Sequence, residues 1–262
     1  MEFSSIVLYW YIKNQRDFPW RKSKSAYKVW LSEIILQQTQ TSQGLSYYNK
    51  IITTFPTIKE LAEASEEKIL KLWQGLGYYS RARNLHYTAK HIHNNHNGVF
   101  PDDYNSIIKL KGVGPYTAAA ISSICFNEKR AAVDGNVYRI LARVFNIYTA
   151  TNSSKGIKTF QKLANSLISE TNPGDYNQGL MDIGATICKP KIPKCNLCPL
   201  KSICIAYDNN TINDLPVKIK KIKIKQRYLH YFCVEYDGEF LMKKRTQQDI
   251  WKNLYDFPII EW

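Results

Sequence analysis

Four cysteines, Cys188, Cys195, Cys198 and Cys204, stand within seventeen positions at the spacing C-x6-C-x2-C-x5-C. With Pro190, Pro193 and Pro199 turning the chain between them, their thiolates can converge on one small inorganic centre. Structural zinc usually takes its ligands as two separated close pairs, and here only Cys195 and Cys198 form one. The spacing therefore favours an iron-sulfur cluster, with zinc or unligated core cysteines as the alternatives. A pair of disulfides fits less well. The apolar run at residues 6–12 is short, follows Glu2 and lacks a basic leader, so a reduced, cytoplasmic chain is expected. Cys125 and Cys233 lie far from the set and read as small buried hydrophobes.

Two carboxylates could carry proton and charge chemistry. Glu33 sits among apolar residues in WLSEIILQQT at 30–39, where burial should raise its pKa and let it hold a proton near neutrality. Asp134 precedes a helical pattern from Asn136, whose free N–H groups should keep it ionised. One acid and one anion is the division of labour that cleaves a glycosidic bond through a cationic sugar. A solvated Glu33 and an Asp134 that merely caps a helix are the plainer readings.

The segment LKGVGPYTAAAI at 110–121 places Gly112, Gly114 and Pro115 between two helical patterns. Such a hairpin can bring backbone N–H groups up to a phosphate, although it could equally be an ordinary tight turn. The chain carries 36 Lys and Arg against 22 Asp and Glu, a formal charge of +14, with 18 Tyr and 6 Trp. A basic, aromatic-rich surface suits a polyanion with stackable rings, and nucleic acid is the expected partner. A solvated basic surface over an aromatic core is the bland alternative. No apolar stretch approaches membrane-span length, so no membrane partner is expected.

These groups need elements to hold them. Up to about residue 208, apolar residues recur at helical spacing, as at 26–39, 58–72, 81–92 and 136–145, which predicts a mostly α protein of some ten helices. Beyond it, the near-alternating run 217–225 and the segments 228–234 and 239–242 around Asp237-Gly238 read as the start of a β-rich unit. Those strands are too few to close a sheet, so a truncated unit or one needing a partner is expected. The Lys run could track a phosphate backbone or keep an edge strand soluble.

The order of hairpin, VDGN at 133–136 and four cysteines resembles the endonuclease III superfamily of helix-hairpin-helix DNA glycosylases. DFPWR at 17–21, SEIILQQT at 32–39, GLGYYSRARNL at 75–85 and GVGPYT at 112–117 narrow the resemblance to the MutY-type adenine glycosylases, over about residues 3–208. The resemblance implies a two-domain fold: a six-helix domain at 20–125 and an iron-sulfur cluster domain from 1–19 and 126–208. A linker at 209–226 and a truncated NUDIX-like start at 227–262 would follow, the latter resting on a weak likeness at 251–258. It further implies a [4Fe-4S] cluster on the four cysteines, and a monomer in the cytoplasm, on the nucleoid, acting on double-stranded DNA that carries adenine opposite 8-oxoguanine. Glu33 would protonate adenine N7, Asp134 would stabilise the oxocarbenium-like sugar, and Asn136 and Tyr116 would support them.

The carry-over places Trp20, Arg21, Leu36 and Gln178 around the extruded adenine, Gln178 standing where some relatives have Glu. Gln38, Thr39, Leu76 and Tyr78 fall on the 8-oxoguanine side, where a ring can wedge into the stack. Core packing is the plainer role for Trp20, Leu36 and Leu76. Tyr116 replaces the lysine that lets endonuclease III cleave strands through a Schiff base, so a monofunctional enzyme is implied. Lys111 departs from the usual proline and is read as a phosphate contact beside Gly112 and Gly114, as is Lys201 between the last two cysteines. His91, His93 and His96 match nothing in the family and read as a solvated helix end.

Overall fold

The computed structural model describes residues 2–219, 226–247 and 251–262, and most of the first 208 are helical. The helices are α1 (Phe3–Asn14), α2 (Ala26–Leu36), α3 (Thr41–Thr54), α4 (Ile58–Glu63), α5 (Glu66–Trp73), α6 (Ser80–Asn95), α7 (Tyr104–Ile107), α8 (Pro115–Phe126), α9 (Gly135–Val144), α10 (Ser154–Leu167), α11 (Pro173–Thr186) and α12 (Ile205–Asp208). The apolar stretch at 58–72 is two helices. Ala64 turns extended and Ser65 caps a fresh start by accepting the Lys68 amide, a local hydrogen bond that apolar periodicity cannot register.

Apolar side chains gather in two main clusters. The first, around the fully buried Trp30 and Trp73, joins α2 to the helices from α3 to α8. The second collects Val7 of α1, Leu141 of α9, Phe160 of α10 and Ile183 of α11, and extends to Leu200, Cys204 and Leu215. Helix α11 packs on α1, α8 and α9, and α2 packs on α3, α6 and α8. The two helices that face the space between the clusters are therefore each fixed from several sides.

The turn between α7 and α8 is built as its sequence suggests. Gly112 adopts φ +83°, Gly114 is the extended residue before α8, and Pro115 opens the helix where no N–H is needed. A Cβ at Gly112 would stand 2.8 Å from Asn84 Cβ, so this turn also needs the glycine to seat against α6.

Beyond α12 the chain stays anchored at first: Leu215 is buried and the Val217 carbonyl accepts the Thr151 amide at 3.0 Å. Part of the presumed linker therefore packs on the second cluster. The Lys run from 220 to 225 lies outside the described residues. The tail forms three two-stranded antiparallel pairs from β1 (Leu229–Tyr231), β2 (Glu235–Tyr236), β3 (Glu239–Phe240), β4 (Lys243–Lys244), β5 (Tyr255–Asp256) and β6 (Ile259–Glu261). The Asp237-Gly238 turn joins β2 to β3, while β1 pairs with β6. Among the described residues of the tail none is fully buried, and Cys233 is exposed, which corrects its reading as a buried hydrophobe; Cys125 is half-buried. The tail docks on the first cluster through Leu254, an Arg83 Nη1 to Lys252 carbonyl bond of 2.7 Å, and an Asn253 Nδ2 to Glu66 Oε1 bond of 2.6 Å. No helix among the described residues is long and apolar enough to cross a membrane.

Candidate active site

A cavity of about 670 Å³ opens between the two clusters, and Glu33, Asp134, Tyr116 and Asn136 all line it. Glu33 comes from the middle of α2, whose neighbouring Ser32, Ile34 and Ile35 are buried. Burial pushes its carboxyl up from 4.5 to about 7; Asp134 adds to that, while Tyr116 and Arg21 oppose it. Glu33 therefore titrates near neutral pH instead of in the ordinary carboxylate range. The Tyr116 hydroxyl, 3.4 Å from Met181 Sδ, has its own pKa raised well above 10 by burial and by both carboxylates. It remains a neutral phenol.

Asp134 caps α9. Its Oδ1 accepts the amides of Asn136 at 2.9 Å and Val137 at 2.8 Å, and its Oδ2 accepts Asn136 Nδ2 at 2.8 Å. Burial outweighs these donors, and Arg139 with them, and leaves the Asp134 pKa raised above its ordinary 3.8, so the donors limit the rise without cancelling it. All three donors favour the anion, and the neighbouring helix N-terminus does the same. Asn136 is itself oriented: Arg139 Nη2 donates to its Oδ1 at 2.8 Å. A Cβ at Gly184 would lie 2.4 Å from Asn136 Cβ, so the head of α9 sits this close to α11 only because that position is glycine.

Trp20, Arg21, Leu36, Gln178, Gln38, Thr39 and Tyr78 line the same cavity. Leu76 does not; it is buried in the first cluster beneath the loop that presents Tyr78. Gln38 and Tyr78 hold left-handed backbone at φ +56° and +46°, a strained conformation for side chains of their size. Tyr78 is 64% exposed at the cavity mouth.

Arg81 is the support that sequence reasoning missed, although it lies within a motif already singled out. Its Nη1 donates to the carbonyls of Ile34, Ile35 and Gln37 and to Thr39 Oγ1, and its Nη2 to the carbonyls of Leu76 and Gly77. One buried guanidinium therefore ties the end of α2 to the Tyr78 loop. Phe18, Arg16 and Met181 are further wall residues with no signal of their own in composition. Met181 was findable as the residue three places after Gln178, on the same helical face.

Gly112 and Gly114 lie at the α7–α8 turn and do not themselves line the cavity, although Gln37 of its wall donates to the Gly112 carbonyl at 3.5 Å. Lys111 lies there too, its Nζ 4.4 Å from the Tyr87 ring centroid. His91 and His96 end α6 with their rings 5.3 Å apart, and His93 lies between them in sequence.

The four cysteines line a second, smaller pocket with Arg143 and Lys201. Arg143 Nη1 lies 3.4 Å from Cys188 Sγ, and Arg139 Nε donates to the Cys188 carbonyl at 2.6 Å. Lys201 Nζ donates to Asn196 Oδ1 at 3.2 Å. Among the described residues no three His, Cys, Asp or Glu side chains stand close enough to hold a single metal ion.

Residues 31–166 match the family model for HhH-GPD superfamily base excision DNA repair proteins. The adenine DNA glycosylase of Buchnera aphidicola from Acyrthosiphon pisum is 42% identical over 257 residues, covering 98% of this chain and 73% of the relative. The chain belongs to the adenine DNA glycosylase family. Among solved structures, a thermostable thymine-DNA glycosylase is 31% identical with a TM-score of 0.72, covering 79% of this chain and 95% of that one. A non-covalent endonuclease III–DNA complex, 19% identical with a TM-score of 0.65 over 80% of this chain and 99% of that one, shares the fold. The helical part of this glycosylase is thus an HhH-GPD fold, and its hairpin is α7–turn–α8.

Proposed function

We propose that the glycosylase removes adenine mispaired with 8-oxoguanine or guanine from duplex DNA, as a monofunctional enzyme. The observation that carries this reading is the placement of Glu33 and Asp134 in one cavity, the first with a pKa of about 7 and the second held by three N–H donors. The adenine would leave the stack and enter between Trp20, Arg21, Leu36 and Gln178. Glu33 would pass its proton to N7, so that when the bond from C1′ to N9 breaks both electrons leave with a neutral adenine. Asp134 would face the positive sugar, and water adding at C1′ would return a proton to a carboxylate. Tyr116 supplies no amine, so the strand would remain intact.

The exposed Tyr78 and Gln38, both on left-handed backbone, suit a wedge and a replacement partner for the base left behind, with Thr39 beside them. Gly112, Gly114 and Lys111 at the hairpin, and Lys201 beside the cysteines, would contact phosphates.

The four-cysteine pocket suits a [4Fe-4S] cluster. Zinc at about 2.3 Å from each sulfur would require thiolates tightly gathered on one point, whereas a cluster takes each cysteine on a separate iron. When bound, the cluster would cross-link the loop carrying Lys201, and the positive charge offered there would come from side chains such as Lys194 and Lys201. The paired strands of the tail support the reading of a NUDIX-like beginning.

A duplex with one adenine opposite 8-oxoguanine, guanine or thymine tests the proposal. Base loss should be fastest opposite 8-oxoguanine, with nicking only after alkali. Equal rates opposite thymine, or nicking without alkali, would overturn it.

A further inference from the structure

Asp182 lies on α11, and its side chain is wholly inaccessible to solvent. It faces two cations. Arg21 Nη1 and Nη2 donate to Oδ2 and Oδ1 at 2.7 and 3.0 Å, and Arg16 donates from Nε to Oδ1 at 2.6 Å and from its amide to Oδ2 at 3.2 Å. Arg21 Nη1 also reaches the Arg16 carbonyl at 3.2 Å, and its guanidinium lies over the rings of Phe18 and Tyr11. Both arginines line the cavity that holds Glu33. A buried two-pronged fork of this kind fixes the plane of a guanidinium, and its charge is heavily committed.

We propose that Asp182 is a positioning residue for base release: its carboxylate holds Arg21 and Arg16 against α11 and so keeps a guanidinium from pairing with the Glu33 carboxylate. The proposal rests on the reading of Glu33 as the proton donor. A donor with a fixed cation beside it would surrender its proton to solvent before the substrate could take it. Arg16 and Arg21 both line the pocket, and the α11 carboxylate reconciles their presence with a protonated acid. The charged and titratable groups around Glu33 are Tyr116 and Cys125 from α8, Asp134 at the head of α9, Arg21 from the turn at Pro19–Arg21 between α1 and α2, and Arg16 and Arg81 on the wall. Of these, only Arg16 and Arg21 bind Asp182.

The experiment is the pH profile of single-turnover adenine release for the parent chain, Asp182→Asn, Arg16→Gln and Glu33→Gln. Freeing Arg21 in Asp182→Asn should move the falling limb to lower pH by about 1 unit or more, so the rate drops roughly tenfold at pH 7.5 and recovers toward pH 5.5. Arg16 is 29% exposed, and Arg16→Gln leaves Asp182 less neutralised, so its limb should move the other way. A uniform loss at every pH in Asp182→Asn, with the limb unmoved, would overturn the proposal and assign Asp182 a structural role. If Asp182→Asn does not fold, an unmoved or lowered limb in Arg16→Gln would overturn it instead. Full activity in Glu33→Gln would sink the underlying assignment separately, whatever the other profiles show.

Discussion

Replacing Glu33 by glutamine should abolish most base release and stabilise the fold, with the gain growing as pH rises. The folded-state pKa of about 7 lies above the ordinary 4.5, so the folded chain binds the proton more tightly than the unfolded chain between those values. Stability must then fall as pH rises through that window, and the cost is complete only above about pH 7. From the two pKa values, the parent carries a penalty of about 3 kcal/mol at pH 8 and under about 1 kcal/mol at pH 5. Glutamine has no proton to lose, so the stability difference between variant and parent should widen by roughly 2–3 kcal/mol from pH 5 to pH 8. Urea unfolding at both pH values reads this directly, provided the m-value is unchanged. Base release should fall by roughly 10²–10⁴ in the same variant. A stability difference that does not vary with pH would refute the burial argument for Glu33.

Tyr116→Lys places an amine beside Glu33 and Asp134, and borohydride should then trap it covalently on DNA through a Schiff base; no adduct would separate Tyr116 from the sugar's reach. Gly112→Ala must hold φ +83° and meet Asn84 at 2.8 Å, costing about 1–2 kcal/mol, and should weaken binding to undamaged duplex in a gel-shift titration while leaving the cavity intact. Cys198→Ser removes one of the four pocket thiols and should lose the visible iron-sulfur absorption and lower Tm; unchanged iron content would argue against the proposed ligand set.

Much of the site was readable because its chemistry sits in residue types with a local logic. Glu33 stands out as an acid within an apolar run, and Asp134 announces itself as a cap before a helix that starts at Gly135, one residue ahead of the Asn136 expected. The Asp237-Gly238 turn also does what that dipeptide favours. What escaped depends on contacts between distant segments. Asp182 looks like a surface residue until α11 packs against the turn at Pro19–Arg21, 161 positions away from Arg21. Arg81 resembles any helix arginine until the end of α2 is brought over it. The break inside 58–72 was hidden because Ser65 acts through one side-chain hydrogen bond, and Leu76 took a core place because the loop turns Tyr78 outward and leaves its neighbour inward.

The most direct test of the account is the rate of free adenine release from an adenine:8-oxoguanine duplex as a function of pH. The single-turnover rate should fall above about pH 7, following the proton on Glu33. A rate that stays level through pH 9, or one that falls already near the ordinary carboxylate pKa, would contradict it.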